Sequence, residues 1–204
     1  MNSSFAQQIL AAYPLDSLEN DLANLGRVNF TPPSYPYGLQ YRRTTTYYTD
    51  STFVANRRLT CQTWAQNSLP AYCYNFNAIP SWAGPFDGAT HFVEVAFAMK
   101  NIEGVGYAPV RIPPFAGLSE GYRGLATLMS GDWVAFISRG NPNEWGGRGD
   151  TLKNFGKVPK WEEYREGAKV FELEGNRSCV MVSDDWRKEG MELINSVNKE
   201  VYDR

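Results

Sequence analysis

With 204 residues and 43% hydrophobic content, the chain is long enough to bury a core and sits near the length of one domain. Its 20 basic and 22 acidic residues leave a formal charge of −2 without a single-sign block, so the sequence carries no electrostatic footprint for nucleic acid or an anionic membrane surface. No stretch approaches the roughly 20 apolar residues of a membrane span, and Met1-Asn2-Ser3-Ser4 lacks the basic-then-apolar pattern of a secretion signal.

The first expected element is a short helix capped by Ser4, with Phe5, Ile9, Leu10 and Tyr13 on one apolar face and Pro14 as its stop. Thr31 to Tyr37 is too rich in proline for a regular element and reads as an extended loop. Tyr41 to Ser68 contains no Pro or Gly, and Phe53, Val54, Leu59 and Trp64 recur at roughly helical intervals, which predicts a helical run. Ala71 to Phe76, bounded by Pro70 and Pro80, is the best strand candidate. A Gly- and Pro-rich loop from Ile79 to Thr90 follows and delivers His91, after which Phe92 to Met99 forms an apolar run best read as a short helix.

Pro113 and Pro114 make Val110 to Phe115 a loop or at most an edge strand. A long amphipathic helix is predicted from Glu120 to Ser138, capped by Ser119, with Tyr122, Leu125, Leu128, Met129, Trp133, Phe136 and Ile137 inward. Glu144 to Gly156 reads as a surface loop. Lys169 to Leu173 and Cys179 to Val182 predict a hairpin, and Ser183 or Asp184 is expected to cap a last helix containing Trp186, Met191, Leu193, Ile194 and Val197. Helices so outnumber strands that the sheet reads as incomplete, which implies a further N-terminal portion.

Cys61, Cys73 and Cys179 form no Cys/His metal spacing, and buried free thiols are the expectation. One histidine and scattered carboxylates make no zinc constellation, so no metal or cofactor is expected. The triplets at Asn2, Asn29 and Asn176 fit the N-glycosylation pattern, which arises readily by chance.

His91 is the only histidine, and a loop just past a strand is where α/β enzymes expose a group that must reach substrate. Gly117-Leu118-Ser119-Glu120-Gly121 formally fits G-x-S-x-G, the nucleophile elbow, but the elbow needs a buried strand feeding the turn. Ile112-Pro113-Pro114-Phe115-Ala116 cannot provide one, and Ser119 follows the histidine instead of preceding it. Ser119 is therefore read as a helix cap.

Several segments, taken in order, resemble the C-terminal portion of type B carboxylesterases and lipases, particularly fungal members related to cholinesterases. Ile9-Leu10-Ala11-Ala12-Tyr13-Pro14 is similar to an I-L-x-x-Y-P segment, and Ala71 to Phe76 to the strand before the histidine loop. Gly88-Ala89-Thr90-His91-Phe92-Val93-Glu94 resembles the G-x-x-H-x-x-E motif of the catalytic histidine. Trp133 to Phe136 with Gly140 to Asn143, and Asp184-Asp185-Trp186-Arg187, resemble two later blocks. The resemblance implies an α/β-hydrolase fold, with residues 1–204 as the C-terminal segment of a carboxylesterase type B domain. It implies a serine-type esterase or lipase acting on a small-molecule or lipid ester, with His91 as catalytic histidine and Glu94 as a supporting acidic position. The serine elbow, the oxyanion glycines and the triad acid of the family have no counterpart here. The chain alone is expected to be inactive, and the alternative is a non-catalytic interaction module or a decayed copy. Localisation is left open.

Overall fold

The computed structural model describes residues 3–14, 38, 40–83, 88–106, 112–152 and 157–201. The expected loop at 31–37, part of the loop that delivers His91 (residues 84–87) and the triplets at Asn2 and Asn29 lie outside the described residues. The chain divides into two compact units, Met1–Leu69 with Ser183–Arg204, and Pro70–Val182.

In the first unit, α1 (Ser3–Ala12) places Phe5, Ile9 and, just past its end, Tyr13 in one buried row, as spacing of four residues dictates. The helix already begins at Ser3, so Ser4 lies inside its first turn and not at the cap, and Leu10 is exposed. The predicted helical run is α2 (Tyr41–Thr49), a π-helical segment (Asp50–Val54) and α3 (Ala55–Gln66). Its facing differs from expectation: Phe53, Leu59 and Trp64 are exposed, while Thr46, Asp50, Ser51, Ala55, Arg58 and Cys61 are buried.

Polar partners explain that inversion. Tyr13 Oη donates to Asp50 Oδ2 at 2.9 Å, and Arg187 donates from Nε and Nη2 to both Asp50 oxygens at 2.7 and 2.8 Å. The π-turn, closed by Ala55 N–H on Asp50 C=O, shifts the helical phase and brings Asp50 and Ser51 inward together. α6 (Lys188–Ser196) adds Met191 and Ile194 to the core formed by Phe5, Ile9, Tyr13 and Ala55, and a short α7 (Asn198–Val201) follows. Asp184 does not cap this helix. Its carboxylate is held by Arg57 and Arg58, while Arg187, at φ +47°, occupies the cap position. Two charge-assisted partners outcompete a backbone N–H for that carboxylate.

The second unit carries a sheet of order β1-β2-β3, with β1 (Tyr74–Phe76), β2 (Lys169–Leu173) and β3 (Val180–Ser183). β1 runs parallel to β2 with Tyr74 opposite Phe171 and Phe76 opposite Leu173, and β2 and β3 are the two strands of the predicted hairpin. α4 (Val95–Ala98) packs on α5 (Glu120–Arg139), the longest helix described. α5 ends where Gly140 turns left-handed at φ +75° and its N–H bonds Phe136 C=O.

Tyr122, Leu125, Leu128 and Met129 face the core as expected, but Phe136 and Ile137 are exposed and Trp133 is half-buried. The 144–156 region is not wholly surface either. Arg148 is buried with its Nε on Asp132 Oδ1 at 2.9 Å, and Leu152 is buried beside α5. Burial raises the Asp132 carboxyl above its ordinary range in spite of the Arg148 and Trp145 hydrogen bonds.

The expectation of three free thiols needs correction, since Cys61 and Cys73 are disulfide-bonded. An odd count leaves one cysteine over without forbidding a bridge. Cys179 is the free one; it is buried, and its thiol is pushed up to about 12, chiefly by that burial.

Candidate active site

His91 occupies the second position of a tight turn. Val93 N–H bonds Thr90 C=O at 3.4 Å, and Val95 N–H bonds Phe92 C=O at 3.2 Å, leading directly into α4. The turn exists because the chain must leave a Gly-containing loop, with Gly88 at φ +67°, and start a helix within a few residues. Buried neighbours fix it. Val93 faces inward, and Phe97 is wholly buried, edge-on to Phe76 of β1 at 4.9 Å and to Phe115 at 4.8 Å between ring centroids. The histidine is thus exposed on a segment whose next turn is anchored to the sheet and to α5.

Glu94 stands at the cap position of α4 and its backbone C=O accepts from Phe97 and Ala98. Its side chain lies close enough to Tyr74 that its charge, after burial, contributes to raising that phenol. Trp82 is half-buried and packs on the core.

Ser119 sits at the start of α5, as expected, but its hydroxyl does not cap the helix. It points to Gly175 C=O at 3.4 Å and Asn176 Oδ1 at 3.3 Å. The residues before it form successive turns, with Ala116 N–H on Pro113 C=O and Leu118 N–H on Phe115 C=O, and no strand feeds Gly117. A nucleophile elbow needs that strand.

Sequence reasoning passed over a polar cluster at the carboxyl ends of β1 and β2. Asn77 donates to Glu174 Oε1 at 2.9 Å, and Arg177 reaches both Glu174 and, at 2.8 Å, Glu172. The Glu-Leu-Glu alternation of 172–174 would have placed both carboxylates on one face of a strand, a signal visible in the sequence. Among the described residues no group of His, Cys, Asp and Glu side chains could hold a metal ion, and no helix is long and apolar enough to cross a membrane.

A model of the carboxylesterase family matches residues 34–192, a span that includes the His91 turn, α5, the sheet and Asp184. The chain belongs to the carboxylesterase family. A search of curated proteins gives no match. Membership implies the α/β-hydrolase fold and ester substrates, and the helix-rich, three-stranded mixed arrangement is the portion of this carboxylesterase chain described above.

Proposed function

We infer that residues 1–204 are the histidine-bearing, C-terminal segment of a type B carboxylesterase domain that cleaves carboxylic esters by a serine mechanism. His91 is its general base and acid. The observation that carries this is the position of the sole histidine: exposed, on a turn anchored by Val93 and Phe97, inside the span matched by the family.

In this reading His91 accepts the proton of a serine hydroxyl as the oxygen attacks the ester carbonyl, then returns it to the departing alkoxide. Water repeats the sequence on the acyl-enzyme. The serine, the oxyanion donors and the acid that orients the imidazole are supplied from outside these 204 residues. Ser119 is not the nucleophile, since neither its chain order nor its local backbone suits the role.

A non-catalytic interaction module is the competing reading, favoured by the absence of a strand-fed G-x-S-x-G elbow among the described residues. His91→Ala and His91→Gln in the natural-length gene product decide between them. Hydrolysis of p-nitrophenyl esters by the parent, with kcat lowered about a thousandfold in both variants, is the expected result. Full activity in the variants, or a natural-length chain that binds but never cleaves esters, overturns it.

A further inference from the structure

The residue after His91 has a backbone that its side chain disfavours. Phe92 has φ +78°, in the left-handed region, and holds the third position of the Thr90–Val93 turn. That value is what a type II turn asks of its third residue, and glycine or asparagine meets it with little steric conflict. A bulky aromatic meets it only against strain, which persists where surrounding structure enforces it and which clusters at functional sites.

Among the described residues core packing does not account for the ring. Val93 is 7% exposed and Phe97 0%, so the apolar side chains that pack from this segment turn inward, whereas Phe92 is 57% exposed. Its ring stands beside the imidazole instead, with centroids 6.2 Å apart and planes inclined at 61°.

The geometry points to Phe92 as a specificity-determining residue that contacts the alcohol moiety of the ester and selects apolar alcohols. This rests on the reading of His91 as the catalytic base. The direction follows from the chemistry: the imidazole must approach the leaving alkoxy oxygen to protonate it, so a ring flanking the imidazole borders the alcohol side of the scissile bond. A flat apolar wall there gains contact with each added methylene or aromatic carbon of the alcohol, whereas methyl and ethyl esters gain little.

The test compares acetate esters of methanol, hexanol and benzyl alcohol, hydrolysed by the natural-length protein and by Phe92→Gly, Phe92→Leu and His91→Ala. The expected result is that the ratio of kcat/KM for benzyl over methyl acetate falls about tenfold in Phe92→Gly. Phe92→Leu, which keeps an apolar side chain but loses the flat ring, should fall between. Phe92→Gly accepts the left-handed φ, so it is the variant expected to fold, and a thermal melt of each protein separates a general loss of folded protein from a change in ratio.

If His91→Ala abolishes cleavage of all three esters and the Phe92 variants keep the parent ratio, Phe92 is only a structural residue and the proposal is overturned. If His91→Ala cleaves like the parent, the catalytic reading fails first, and the assignment of Phe92 falls with it.

Discussion

Asp184 shows at residue scale how an ionised group is kept in a buried position. Burial alone would raise its carboxyl, but hydrogen bonds and charge from Arg57 and Arg58 outweigh that and hold it below the ordinary carboxylate range. Arg58 is itself almost wholly buried and stacks on Trp186, with its guanidinium carbon 5.2 Å from the ring centroid. Asp184→Asn removes the charge while leaving Arg58 in place, so we expect a loss of about 3 kcal/mol at neutral pH. Because the folded-state value is depressed, the stabilisation is fully present above the unfolded carboxyl value of about 3.9 and is lost as pH falls through the lower folded value. Urea unfolding from pH 7 to pH 2 should show the gap between parent and variant narrowing below about pH 4. A gap under about 0.5 kcal/mol at pH 7, as for exposed pairs, would sink this account. The motif Asp184-Asp185-Trp186-Arg187 was visible in the sequence, but its partners were not: Arg57 lies 127 residues away and Asp50 137 residues from Arg187.

At the scale of elements, the ends of α5 and the hairpin were legible because their signals are local, whereas the expected caps Ser4 and Asp184 do not start their helices. Ser119, by position though not by its hydroxyl, and Gly140 bracket α5, and the turn at 174–179 sits between two short β-branched and aromatic runs. Facing was less legible, because periodicity assumes that the buried side of a helix is apolar. The π-segment and α3 bury Asp50 and Arg58 because each has a charged partner, and Ser51 with its hydroxyl on Tyr48 C=O, while α5 leaves Ile137 in the open. Gly124 and Gly131 of α5 record another contact that periodicity ignores. A Cβ at Gly124 would lie 2.2 Å from the carbonyl oxygen of Thr151, and one at Gly131 2.3 Å from the Trp145 ring. The 145–152 segment therefore lies directly on the backbone of α5, with Trp145 Nε1 bonded to Asp132 at 2.7 Å. Gly131→Ala gains helix propensity of about 1 kcal/mol in an exposed helix, but here it must push out a hydrogen-bonded ring. We expect a net loss of about 1–3 kcal/mol, with altered tryptophan fluorescence. A more stable variant with unchanged emission would show that the close approach is not what holds glycine there.

For the whole molecule, the sequence supports a family and an expected base, and the structure gives that base an exposed, anchored turn, yet fold and chemistry remain separable. Two compact units with their own cores, one around Phe97, Leu125 and Phe171 and one around Tyr13, Met191 and Ile194, are compatible with a folded 204-residue polypeptide. On the proposed reading such a polypeptide holds the base without the serine or the oxyanion donors, and the electrostatic contribution of those donors is commonly the largest in acyl transfer. Purified residues 1–204 should therefore hydrolyse neither p-nitrophenyl acetate nor alkyl acetates above the buffer rate. Saturable turnover of an alkyl ester, lost in His91→Ala, would mean that this segment carries a complete catalytic centre and that the nucleophile must be sought within it.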